Sequence, residues 1–159
     1  MSRTIEAINA AIKASAEKST FIGRWVTDEE KEAICILKAA MERLETITSH
    51  LPKYDDKDWV KGLSEDDRAL VLFFSINMTC EPIDVLEYIF TLAPPYKETV
   101  KRLAHQYFVL MAATEYDFAR RHQFALAASA LSGKEMAPRT HEIYMLAKAN
   151  SIGPQYPVF

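Results

Sequence analysis

The chain reads as an all-α protein, a compact single-domain bundle of about six or seven helices. Three observations predict this. Apolar residues recur at alternating spacings of three and four along most of the length. Helix-start signals stand at Thr27–Glu30 and Ser64–Asp67, and prolines mark further helix ends. Only 4 glycines occur in 159 residues, so long glycine-rich loops have little raw material. A domain of this size buries roughly 70% of its unfolded surface and needs no disulfide or metal to hold it.

The first helix spans about 4–17, with Ile5, Ile8, Ile12 and Ala16 along one face. Residues 19–26 follow, carrying Phe21, Ile22, Trp25 and Val26. Leaving these in water costs about 1.5–3 kcal/mol each, so they plug the bundle end or form a docking patch. A second helix, 28–51, opens on Thr27 with Asp28, Glu29 and Glu30 at its positive end. Its seam is Ile34, Leu37, Met41, Leu44 and Leu51, with Thr48 in one slot. That pattern lasts under three heptads, which favours an antiparallel bundle over a long coiled coil.

Pro52 ends that helix, and 52–63 reads as a loop. Its Asp55, Asp56 and Asp58 are interrupted by Lys57 and lack the turn glycine and closing glutamate of a calcium loop. Ser64 opens a helix over 65–79 that is apolar all round, as expected of the central member of the fold. Asn77 falls on its Leu70–Phe74 face, where a buried amide must bond loop backbone or floor a pocket. Pro82 starts a helix to about 93, with Ile83, Leu86, Ile89 and Phe90 inward.

Pro94-Pro95 stops it, and a long helix follows with Tyr96, Val100, Leu103, Tyr107, Leu110, Met111, Thr114 and Phe118 in one stripe. The later apolar set, Phe124, Ala127, Ala128 and Leu131, is rotated by about a quarter turn. The helix therefore bends or breaks near 119–122, or exchanges one packing face for another. Gly133 suits its end, and a last helix covers about 138–150. One helical domain then spans 1–153, and 154–159 is an extended, proline-bearing tail.

Chemistry is sparse. His50, His105, His122 and His141 show no i, i+3 or i, i+4 pairing, and no acid stands three residues before any of them. No P-loop, dinucleotide fingerprint or nucleophile elbow occurs, so no cofactor and no metal are expected. Cys35 and Cys80 read as buried, reduced thiols, Cys35 against the seam of 28–51 and Cys80 at the end of 65–79. An enzyme would need a site assembled only by tertiary contact, and the expectation leans away from one.

Net charge is −3, with 11 basic and 14 acidic residues in 1–80 and 8 of each in 81–159. A dedicated nucleic-acid binder usually shows a basic footprint. Two surface features stand out. Lys97, Lys101 and His105 repeat by four on the outward side of the long helix, with Arg102 adjacent and Arg120, Arg121 and His122 near the bend. They can meet phosphates or a partner's carboxylates. As an ordinary solvated face they would form Glu98–Arg102 and Asp117–Arg121 pairs. The second feature is the tail, where Tyr156, Val158 and Phe159 can dock in a groove or fold back on their own domain.

The function expected is a non-catalytic protein-interaction module: an adaptor, regulator or inhibitor, with another protein as partner and a homodimer possible. Small helical proteins of bacterial mobile elements and phages share this size and composition, an analogy of scale only. A nucleic-acid-associated regulator using the basic face is the alternative. With no signal peptide and no apolar run near ~18 residues, the expected place is the cytoplasm, with no membrane contact.

Overall fold

A computed structural model describes residues 2–17, 26–49 and 62–132. They form six α-helices: α1 (Arg3–Glu17), α2 (Asp28–Ser49), α3 (Glu65–Ser75), α4 (Pro82–Phe90), α5 (Pro94–Thr114) and α6 (Phe118–Ser132). The all-α bundle is therefore observed. The loop through 61, the cluster Asp55–Asp58, the helix at 138–150, Gly133 and the tail lie outside the described residues, as do Phe21, Ile22 and Trp25.

Helix α5, rather than the expected 65–79 helix, is the central member. It packs against each of the other five helices. Val100, Leu103, Ala104, Tyr107, Phe108 and Leu110 are all buried along it. Four of these, Val100, Ala104, Phe108 and Leu110, are wholly covered. Two faces of α5 are thus occupied at once, which a single stripe of threes and fours does not reveal.

Helix α1 buries Thr4, Ile8, Ala11 and Ser15. Ile5 and Ile12 are half-buried and Ala16 is exposed, so the expected face is turned aside. The cause is Thr4, whose side-chain hydroxyl donates to the Ile76 carbonyl and accepts from the Met78 N–H at 3.1 Å. That anchor brings small residues inward beside Ile8 and leaves Ile5 and Ile12 flanking them.

Helix α2 shows the same shift. Thr27 caps it, accepting from the Glu30 N–H at 3.1 Å. Its buried line is Glu30, Ala33, Leu37, Ala40 and Ile47. Among the described residues of the expected seam only Leu37 is fully covered; Ile34, Met41 and Leu44 are half-buried, Thr48 is exposed, and Leu51 lies outside the described residues. Alanines at 33 and 40 admit close packing, so the larger side chains sit at the margin. Cys35 lies on the far side of α2 and is exposed, contrary to expectation.

Ser64 caps α3, accepting from the Asp67 N–H at 3.2 Å. The helix stops at Ser75, a turn short of the expected 79, where Ile76 turns to φ −73°, ψ 134°. Asn77 is the reason: its side-chain carbonyl accepts from the Thr79 N–H at 3.1 Å and from the Thr79 hydroxyl. Such local bonds compete with helix continuation. Asn77 therefore bonds loop backbone. Cys80 is in the turn before α4, not at a helix end, and is exposed.

Helix α4 begins on Pro82 and ends at Phe90, short of the expected 93. Leu92 and Ala93, both fully buried, lead directly into α5. The long helix then breaks at 115–117, just before the expected 119–122. Glu115 leaves helical geometry at ψ 133°. Asp117 restarts the chain by accepting from the Ala119 N–H at 2.9 Å. The expected second apolar set, Phe124, Ala127, Ala128 and Leu131, is buried on α6. Phe124 stacks on Phe108 of α5 with centroids 6.2 Å apart.

Candidate partner-binding surfaces

The expected basic stripe does not assemble as one outward face. Lys97 and Lys101 are half-buried near the start of α5 and only Arg102 is exposed there. The Lys101 ammonium sits 6.0 Å from the Phe90 ring centroid and 3.8 Å from Glu98, so Glu98 pairs with Lys101 rather than Arg102. His105 turns onto α6, its Nδ1 lying 2.6 Å from the Ala128 carbonyl. A carbonyl only accepts, so Nδ1 carries the proton and Nε2 is the ring's remaining polar atom.

Arg121 is drawn inward too. Its Nε and Nη2 donate to the Glu115 backbone carbonyl at 3.3 and 3.1 Å, in place of an Asp117 ion pair. This closes the carbonyl end of α5 where the helix breaks. Arg120 is exposed, 3.9 Å from the Glu115 carboxylate, and its guanidinium lies 5.6 Å from the Phe124 ring centroid. Tyr156 and Phe159 lie outside the described residues.

His105 and Arg121 do meet in a cleft of about 530 Å³ between the start of α2 and the facing parts of α5 and α6. Glu29 and Glu32 stand on its α2 wall, and small residues such as Ala112 and Ser129 line the other. Among the described residues no histidine bonds a carboxylate or hydroxyl; the bond of His105 goes to backbone. No group of three or more His, Cys, Asp or Glu gathers there as metal ligands would. No described helix is long and apolar enough to cross a membrane.

Two features escaped the sequence reading. Tyr116 and Phe118, at the corner joining α5 to α6, are 77% and 81% exposed, the large apolar side chains left most open among the described residues. Phe118 continues the α5 stripe by spacing, but the break turns it out as the first residue of α6. The legible signal was Asp117, a good cap placed where a new helix must start. The other feature is a groove of about 610 Å³ between α1 and α2. Ile5, Met41 and Leu44 give it an apolar lining, with Lys38, Glu42 and Glu45 along it.

No protein-family model, curated protein or solved structure matches this chain.

Proposed function

We propose that this chain is a non-catalytic protein-interaction module, an adaptor, regulator or inhibitor acting in the cytoplasm, and that it engages another protein through the α5–α6 corner. The observation that carries the reading is the paired exposure of Tyr116 and Phe118 beside Arg120. Each ring left in water forgoes about 1.5–3 kcal/mol of burial. Tyrosine and arginine are also the residue types that concentrate binding energy in interfaces. The half-burial of Lys97, Lys101, His105 and Arg121 favours this reading over the nucleic-acid alternative.

The test is affinity capture from the native host with the full chain, compared with a Tyr116→Ser/Phe118→Ser variant and with a chain lacking 154–159. Loss of the captured protein in the corner variant, with unchanged helicity by circular dichroism, is the expected result. Equal capture by the corner variant would refute the corner as the binding surface.

A further inference from the structure

The corner and the groove match in charge order as well as in character. At the corner, Asp117 precedes Phe118 and Arg120 follows within one helical turn. Along the groove, Lys38 precedes Met41, and Glu42 and Glu45 follow. An aromatic knob flanked by acid then base faces an apolar trough flanked by base then acids. Glu42 and Glu45 are exposed, and their carboxylates have no ion-pair partner among the described residues. Arg120 lies 3.9 Å from the Glu115 carboxylate and over the Phe124 ring, and is still 60% exposed.

The two surfaces cannot meet within one molecule. Thr27, Glu29 and Glu32 share a cleft with Val109, Ala112 and Arg121, so the start of α2 lies beside the corner end of α5. Met41 is ~18 Å further along α2. The groove therefore opens toward the opposite end of the bundle. We infer that the α5–α6 corner of one copy seats in the α1–α2 groove of a second copy, Phe118 against Met41 and Leu44, with Arg120 toward Glu42 and Glu45. This rests on the reading of the corner as a docking surface, for which a second copy and the captured protein compete. Because the two patches differ, the contact is head-to-tail, and copies add until a ring closes. Two aromatic rings and a short charged rim make a small, salt-sensitive interface.

The experiment is sedimentation of the full chain up to about 1 mM, the weak end of measurable association, with two variants. Phe118→Ser removes the knob, and Glu42→Lys/Glu45→Lys reverses the rim; all three positions are exposed, so the fold is kept. Wild-type mass should rise with concentration, and each variant alone should associate at least about tenfold more weakly, the loss expected of a central anchor. Mixing the variants should restore one contact only, giving a 1:1 dimer that grows no further. A wild type that stays monomeric, association that ignores the rim reversal, or a mixture with no dimer overturns the inference. The latter two leave Phe118-dependent capture of another protein standing, whereas capture that survives Tyr116→Ser/Phe118→Ser removes the functional reading itself.

Discussion

Thr4 shows how a single hydroxyl can orient a helix. It is wholly buried and serves both the Ile76 carbonyl and the Met78 N–H, joining the first turn of α1 to the chain just after α3. Thr4→Val keeps the shape and strands both backbone groups, at a cost of roughly 2–4 kcal/mol. Thr4→Ser keeps the hydroxyl and should recover most of that in urea denaturation. Tyr107 makes a second prediction. Burial pushes its phenol up to about 12, against a small opposing pull from Arg120. Burial also raises Tyr88. A phenol raised in the folded state contributes fully below pH 10 and loses its contribution as pH climbs toward 12. For Tyr107 the loss is roughly 2–3 kcal/mol. Tyr107→Phe should flatten the alkaline fall in stability between pH 10 and 12, and an unchanged slope would remove this account.

At the scale of the elements, the caps at Thr27 and Ser64 were legible because a short hydroxyl followed by acids has one local use. The faces were less legible. In α1 and α2 the alanines and Thr4 won the inward positions, because close approach and a tertiary hydrogen bond outweighed the size of Ile5, Ile34 and Met41. Helix α3 ended early because Asn77 bonds its own turn. On α5 the spacing of Lys97, Lys101 and His105 does not reveal that Lys101 rests over Phe90 or that His105 bonds the Ala128 carbonyl of α6, because both are tertiary contacts. Two predictions belong here. Ser64→Ala should cost about 1 kcal/mol through the lost cap. The Arg43 guanidinium, bidentate on Asp67 at 3.1 and 2.8 Å, holds that carboxyl below its usual range, with Ser64 helping. Its contribution is present above pH ~4 and is lost as pH falls through the lowered value. Asp67→Asn should therefore lessen the acid dependence of thermal melting, and an identical acid limb would contradict the pairing.

For the whole molecule, the placement of α5 decides how damage spreads. Phe108 is fully covered and stacks across to Phe124 of α6, so Phe108→Ala should cost about 3–5 kcal/mol. That is a large share of the 5–15 kcal/mol that holds an ordinary domain, and chemical denaturation should show one transition moved to much lower denaturant. The same placement governs access by solvent protons. A rod hemmed in by five neighbours cannot detach alone, so its mid-helix amides trade hydrogen for deuterium only when the entire assembly comes apart. Peptide amides around Ala104 to Phe108 should then be the slowest clock in the protein, and their rate reads its global stability directly.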